Sequence, residues 1–500
     1  MTLAAPHALL TSRLAPLACA VLLAGCALVG PNYVAPTPSD LNVPSAWQRT
    51  AASSEAGLEI ATWWQHLGDP LLTHLIAQAI QASPDLQSAR AKLRQARAQR
   101  RLAFGNLWPT LSASASAQHT EASQSGVGGG QNAAISGAPT SGIDSSQDLY
   151  DIGFDASWEP DIVGGQRRAL EAARADEAAS VANFHNTQVT LAAEVARNYV
   201  DARSSQAQIA IAQANLASQS ETLALTEWRV QAGLTSSLDA EQARTNVEQV
   251  RATIPALETS LVEADHRLAV LLGLAPGALH GELAAPAPIP QVPKPLTIGI
   301  PADILRQRPD VAAAERTLAA ATARIGEAEA ARYPSLTLSG SVGLEAMTIG
   351  ALTNGSSFAA NVLGKLAQTV FDGGRISAQI EIQNAAQQQS LASYKATVLG
   401  ALEDVENALV SLANSQARAT ALTRAVESAR NAALLARDRY TAGIIDFQVV
   451  LDTERTVLTV EESLNGAQAD NVTAAIQLYK ALGGGWSPNE ALNGHTVTKS

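Results

Sequence analysis

Leu111-Ser112-Ala113-Ser114-Ala115-Ser116-Ala117-Gln118 sets an apolar side chain against a polar one at every step. A period of two is the mark of a strand with one apolar and one polar face. Pro109 closes the helical pattern before it, and a Gly/Ser/Asn/Gln-rich stretch after it, including Gly126-Val127-Gly128-Gly129-Gly130, reads as a loop. The alternation then returns with Tyr150, Ile152, Phe154, Ala156 and Trp158 opposed to Asp151, Gly153, Asp155, Ser157 and Glu159. A second pair of such runs lies in the other half of the chain. Leu336, Leu338, Gly340, Val342 and Leu344 alternate with Ser335, Thr337, Ser339, Ser341 and Gly343, and Phe358, Ala360, Val362, Gly364, Leu366 and Val370 follow on one face, with Gln368 as the exception.

Strands of about ten residues with this pattern have the length and alternation of a transmembrane barrel. Soluble two-faced sheets are the alternative, since alanines are weakly hydrophobic. No segment offers the roughly 18 apolar residues of a membrane helix. An open sheet edge cannot face lipid, because unpaired backbone groups there cost several kcal/mol each. Four strands are too few to close a barrel, so several chains must share one, and three copies would supply an even twelve.

Around the strands the pattern is helical. Leu71, Leu72, Leu75, Ile76 and Ala79 share one face, as do Leu86, Ala89, Leu93 and Ala96 between Pro84 and Asn106. From Gln166 to Ala232 there is neither Gly nor Pro, which at about 1.5 Å per residue allows a helix of roughly 100 Å. A polar turn, Gly233-Leu234-Thr235-Ser236-Ser237, leads to a second long helix with Pro255 as a candidate kink. Gly373-Gly374-Arg375 opens another that ends at Gly443, in which Leu402, Val405, Leu409 and Leu412 keep coiled-coil spacing. The last helix reaches Leu482 ahead of Gly483-Gly484-Gly485-Trp486.

The second half thus repeats the first. Pro84-Asp85-Leu86 and Pro309-Asp310-Val311 lie 225 residues apart, as do Pro109-Thr110-Leu111 and Pro334-Ser335-Leu336. Arg229-Val230-Gln231-Ala232-Gly233 and Arg439-Tyr440-Thr441-Ala442-Gly443 are separated by 210, as are Leu272-Gly273 and Leu482-Gly483. A register kept over such distances predicts two structurally equivalent units. The expected bounds are 63–284 for the first, with a hairpin at about 110–162 and long helices at about 166–273, and 301–486 for the second, with a hairpin at about 335–372 and long helices at about 375–482. A Pro-rich connector, 285–300, joins them, and 487–500 form a tail.

The N-terminus reads as an export signal, residues 1–25. Arg13 precedes an apolar run from Leu14 to Gly25 that is too short to span a bilayer. The run ends in Leu23-Ala24-Gly25-Cys26, which resembles the bacterial lipobox and implies lipidation at Cys26. Cys19 would be removed with the signal, so the mature monomer has no disulfide and no Cys-based metal site or nucleophile. Ala27, where an Asp would suggest inner-membrane retention, favours the outer membrane. Residues 26–62 are then a lipidated, extended segment rich in proline. A net charge of −12 leaves no basic stripe for nucleic acid. The eight histidines are scattered without a metal-ligand spacing, and the glycine run lacks the Lys-Ser/Thr ending of a phosphate loop. The expectation is no enzyme, no cofactor and no metal.

Several motifs together resemble one family: the lipobox, Gly30-Pro31-Asn32-Tyr33, Trp63-Trp64 with Asp69-Pro70, Phe371-Asp372-Gly373-Gly374-Arg375, and Tyr479-Lys480-Ala481-Leu482-Gly483-Gly484-Gly485-Trp486. The chain is similar over its mature length to the TolC-like outer membrane factors, in the lipoprotein (NodT-type) branch that serves resistance-nodulation-division efflux pumps. The resemblance implies a mainly α, internally duplicated chain whose homotrimer forms a 12-stranded outer-membrane barrel continued by a long periplasmic α-helical barrel. It also implies a lipid-anchored channel in the outer membrane, a periplasmic adaptor and an inner-membrane efflux pump as partners, and passive conduction of expelled small molecules. An export duct for a type I protein secretion system is the alternative within the family, and a periplasmic coiled-coil scaffold is the alternative outside it.

A conduit's functional residues are those that close it. If three chains converge at the turns near Gly233 and Gly443, the helix after Gly443 brings Asp446, Asp452 and Arg455 near the axis. By resemblance, Asp452 and Arg455 match positions whose acidic ring and ionic links hold the periplasmic aperture shut, while Gln448 stands where an apolar constriction residue is expected. The alternative is that Asp452 and Arg455 form a solvated i, i+3 pair worth a few tenths of a kcal/mol. The turns at Arg229, Gly233, Arg439, Tyr440 and Gly443 are read either as adaptor-docking grooves or as plain helix connections. Asp151, Asp155 and Glu159 are read as lumen-facing, either biasing the pore toward cations or lining it as any water-filled barrel requires.

Overall fold

The computed structural model describes residues 28–47, 60–121, 146–292 and 301–487. Cys26, the signal segment, the glycine run at 126–130, part of the 285–300 connector and nearly all of the tail lie outside the described residues. The elements are α1 (Pro70–Ala82), α2 (Pro84–Gly105), β1 (Thr110–Glu121), β2 (Ser146–Trp158), α3 (Gly165–Gln231), α4 (Ser237–Leu271), α5 (His280–Leu283), α6 (Pro301–Gln307), α7 (Pro309–Ala330), β3 (Ser335–Ala346), β4 (Phe358–Ala367), α8 (Arg375–Thr441) and α9 (Phe447–Ala481).

The duplication is visible in element lengths. Helices α3 and α8 each have 67 residues, α4 and α9 each 35, α2 and α7 each 22, and β1 and β3 each 12. Helix α4 runs through Pro255 as one continuous helix. Among the described residues no helix is long and apolar enough to cross a membrane.

The chain divides into two compact units. One holds residues up to Val34 with Arg97–Asp176 and Leu318–Gln389, and the other holds Ala35–Ala96, Glu177–Thr317 and Ser390 onward. In the first, the four strands form one antiparallel sheet in the order β1-β2-β3-β4. Its register aligns the alternations of all four strands. Ala113 pairs with Phe154, Phe154 with Val342 and Val342 with Ala360, while Ser112 pairs with Asp155, Asp155 with Ser341 and Ser341 with Asn361. Paired residues share a face, so one side of the sheet is a continuous apolar band and the other is mostly polar, with Leu149 and Leu363 as exceptions. The polar side is knitted by side chains, Ser114 Oγ donating to Asp155 at 2.7 Å and Asn361 Nδ2 to Ser341 at 2.7 Å. The large apolar residues Leu111, Ile152, Phe154, Val342, Phe358 and Val362 are exposed in the single chain.

Two expectations are corrected at the strand ends. Glu159, read as a lumen-facing strand residue, lies beyond Trp158, the last residue of β2. Strand β4 stops at Ala367, so Val370 is outside it, and Gln368, the exception to the alternation, already follows the strand.

The start of α3 clasps the N-terminal segment in the same unit. Arg168, buried, donates from Nε to Val29 O (2.9 Å) and from Nη2 to Gly30 O (3.1 Å) and Asn32 Oδ1 (2.8 Å). Gly30 adopts φ +87°, and a Cβ there would collide with the backbone of Gly326. This close approach explains why the Gly30-Pro31-Asn32 motif begins with glycine.

The second unit holds the main core. Trp63 and Trp64 pack with Leu72, Leu75, Ile76 and Ala79 of α1, Val195, Ala196 and Tyr199 of α3, Leu268 of α4, and Ile476 and Tyr479 of α9. Trp63 stacks on Tyr479 at 5.2 Å. Asp69 caps α1, accepting from Leu71 N and Leu72 N, and also accepts a 2.6 Å bond from Tyr199 Oη. Burial, reinforced by that bond to Asp69, pushes the Tyr199 phenol up to about 12. The final glycines reach this core through Gly485 N, which donates to Ile60 O. Val405 and Ala408 form a second cluster with Ile304, Leu478 and Leu482, flanked by Leu409 and Leu412 of the predicted seam.

Candidate functional site: two hairpin tips and the links between them

Within the second unit, α3 and α4 form one helical hairpin and α8 and α9 the other. Their turns are built alike. Gly233 and Gly443 adopt φ +73° and +72°, and Leu234 N and Ile444 N donate back to Arg229 O and Arg439 O. The left-handed residue followed by this bond ends each long helix and satisfies its last carbonyls. The restart differs. Ser236 caps α4 in a reciprocal capping box with Asp239, whereas Asp446 stands at the N-cap of α9 without a side-chain cap bond. Asp446 therefore keeps its carboxylate for other contacts, and its charge suits the positive end of that helix.

Arg229 fastens one hairpin to the other. Its Nη1 donates to Tyr440 O (3.1 Å) and Thr441 O (3.2 Å) at the C-terminal end of α8, and its guanidinium lies 4.6 Å from the Tyr440 ring centre. A cation on terminal carbonyls and on a ring face gains from helix dipole and quadrupole together. Tyr440 is buried against Phe447, Val450, Leu451, Ala436 and Ala243. Of the five expected docking residues, Arg229 and Tyr440 thus hold the hairpins together, while Gly233, Arg439 and Gly443 are exposed. A cleft of about 410 Å³ lies between the tips, lined by Arg229, Leu234, Leu238, Tyr440, Phe447 and Gln448.

Asp452 and Arg455 are both exposed on α9, yet each has its own partner. Gln448 Nε2 donates to Asp452 Oδ1 at 2.9 Å. Arg455 reaches across to α4, donating from Nε (3.1 Å) and Nη2 (2.6 Å) to Oδ1 of the buried Asn246. Arg455 is therefore a hairpin-to-hairpin link rather than half of an i, i+3 ion pair. The sheet residues Asp151 and Asp155 belong to the other unit, on its polar face.

Sequence reading missed three further links. Glu454 is buried and accepts a 2.6 Å bond from Thr222 Oγ1 of α3. Glu461 accepts from Asn215 of α3 (3.0 Å) and Arg430 of α8 (2.7 Å), and Arg437 of α8 pairs with Glu221 of α3 (2.7 Å). One signal was available, because Glu454 continues the apolar stripe Phe447, Val450, Leu451 at i+7 and a carboxylate in a seam has to find a donor.

Burial raises the Glu454 carboxyl above its ordinary value, outweighing the Thr222 bond and the nearby Arg437 charge. A raised carboxyl means that the folded state takes up its proton first. Its ionised form weakens the fold above the raised value, and stability is regained as pH falls through it toward the unfolded value. Glu454→Gln keeps an acceptor for Thr222 and removes the charge. The variant is expected to be more stable than the parent at pH 7.5, by on the order of 1 kcal/mol. Thermal unfolding should show that gap shrinking as the pH is lowered into the acidic range. A gap of opposite sign, or one that ignores pH, overturns the assignment.

The chain matches the family model described as Outer membrane efflux protein over residues 75–274 and 300–484. It is 32% identical over 472 residues to a Nodulation protein T of Rhizobium leguminosarum bv. trifolii, covering 94% of this chain and 96% of the relative. It is 33% identical over 458 residues to the pyoverdine export outer membrane protein OpmQ of Pseudomonas putida, covering 90% and 94%. Among solved structures, the outer-membrane channel OprN superposes with a TM-score of 0.84 at 34% identity, covering 92% of this chain and 100% of that one.

Proposed function

Because the chain belongs to the outer membrane efflux protein family, we propose that its sheet is one third of a closed barrel and that its hairpin tips form the gate of an efflux duct. The protein is the outer-membrane component of a tripartite efflux system, in a family of channels and not of enzymes. The observation that carries the barrel is the sheet itself. It has a continuous apolar face, a polar face, and two outer strands, β1 and β4, each with one unpaired edge. Lipid tolerates the apolar face but not the edges, and pairing β4 of one copy with β1 of the next removes every edge in three steps.

Asp151 and Asp155 then line a water-filled lumen opposite Ser116, Glu345, Ser112 and Ser341. Small molecules expelled by an inner-membrane pump pass along it without bond chemistry. A lipid on Cys26 adds a second attachment to the membrane. The adaptor of that pump docks at the two turns, where exposed Gly233, Arg439 and Gly443 surround the cleft between the tips.

Closure is assigned to α9. Asp446, Gln448 and Asp452 sit along its first two turns, and Arg455 ties α9 to α4 through Asn246. Single-channel conductance of the purified protein in a planar bilayer tests both halves of this reading. The parent is expected to give discrete steps, and the Asp452→Ala, Arg455→Ala double variant several-fold larger ones. Asn246→Ala alone should move conductance in the same direction by releasing Arg455. Steps of equal size in all three would remove the gate from α9, and no steps from inserted protein would remove the channel.

A further inference from the structure

All four strands meet the helices at one end of the sheet, and an aromatic side chain marks each junction in the first unit. Trp108 precedes β1 by two residues, Trp158 closes β2, Tyr333 precedes β3 by two residues, and Phe371 follows β4 by four. None is part of a core. Their exposures in the single chain are 62%, 37%, 48% and 91%. Trp158 Nε1 donates to Leu107 O at 3.0 Å, which fixes that indole beside the base of β1, and Trp108 meets Phe104 edge-on at 6.2 Å. Aromatic rings gathered where an apolar band ends, three of the four here being the amphipathic Trp108, Trp158 and Tyr333, mark the headgroup level of a bilayer.

Behind three of the four aromatics stands an exposed arginine. Arg101 lies in the last turns of α2, Arg332 directly precedes Tyr333, and Arg375 opens α8. None of the three forms an ion pair among the described residues. Two of the acids nearby are engaged by helix starts. Asp161 accepts from the backbone of Gln166 and Arg167 and pairs with Arg167, and Asp372 accepts from Gly374 N and Ile376 N. Helix starts therefore use these carboxylates; Asp372 stands within charge range of Arg375, while Arg101 and Arg332 form no ion pair among the described residues.

We propose that this rim binds the phosphates of anionic phospholipids in the leaflet that borders the helical end of the sheet. The inference rests on the barrel reading and adds to it a lipid preference. Rings at headgroup depth set the height, and arginine stems reach from just below it to place guanidinium groups on phosphate oxygens, for which their planar fork is suited. Charge complementarity selects phosphatidylglycerol over a zwitterionic lipid. At the β2 junction the nearby cation, Arg167, is already held by Asp161.

Full-length protein reconstituted in nanodiscs of equal parts phosphatidylglycerol and phosphatidylcholine tests this by native mass spectrometry of the lipids it retains. The parent is expected to keep phosphatidylglycerol in preference to phosphatidylcholine. Arg101→Gln, Arg332→Gln, Arg375→Gln together should reduce that preference by on the order of tenfold or more. Lys92→Gln, Arg94→Gln, Arg424→Gln, the same loss of charge on exposed residues of the second unit, should leave it unchanged. Equal retention of both lipids by the parent, or equal losses in the two triple variants, overturns the proposal. Conductance steps from the same preparations separate the two readings: steps with no lipid preference sink only the rim, whereas inserted protein without steps sinks the channel.

Discussion

A Val342→Arg chain is expected to fail to assemble in the membrane, while Ser341→Arg, one residue away, inserts and conducts less. Val342 sits in the middle of the apolar face, between Phe154 of β2 and Ala360 of β4. In the proposed barrel an arginine at mid-depth on the lipid-facing wall costs about 2–4 kcal/mol, and each of the three proposed copies carries it. Ser341 faces the other way, between Asp155 and Asn361. An arginine there meets water and a carboxylate directly across the strand pair, so it is tolerated and narrows the lumen. Heat-modifiable oligomer bands in outer-membrane fractions report assembly, and conductance of the survivors reports the lumen. If both variants assemble equally well, the apolar face does not meet lipid.

Arg168→Ala is expected to cost about 3 kcal/mol, because it strips donors from a buried site and leaves acceptors behind. The residue is 2% exposed, and its guanidinium serves Val29 O, Gly30 O and Asn32 Oδ1 while pairing with Glu171 at 2.7 Å. No other side chain presents that fork, so Arg168→Lys should recover only part of the loss. The expected readout is a lowered unfolding temperature together with faster protease cleavage near residues 28–34. A variant that keeps both parental values would show that the clasp contributes nothing.

The strands were legible because their alternation is local and because the register requires all four patterns to agree, as Ala113, Phe154, Val342 and Ala360 do. The errors fell at strand ends. Glu159 and Val370 continue the alternation in sequence, but pairing stops before them, and a ladder ends where its partner does. The hairpin turns were equally legible, since Gly233 and Gly443 supply the left-handed residue that a helix stop needs. The candidate gate was legible only as a set of positions. Arg455 was visible on α9, but its acceptor Asn246 is 209 residues away, and nothing near it in sequence marks that residue out.

The sequence alone thus determined what depends on a few neighbouring residues: the helix and strand periods, the stops at proline and glycine, and the repeat that makes α3 and α8 the same length. Only the tertiary structure decided which side chains hold the pieces together. Arg168 with Asn32, Tyr199 with Asp69, Arg229 with Tyr440 and Glu454 with Thr222 are all separated by 130 residues or more. Such contacts form only after long loops close and burial removes competing water, so the energy that makes them specific is absent from any local window of sequence.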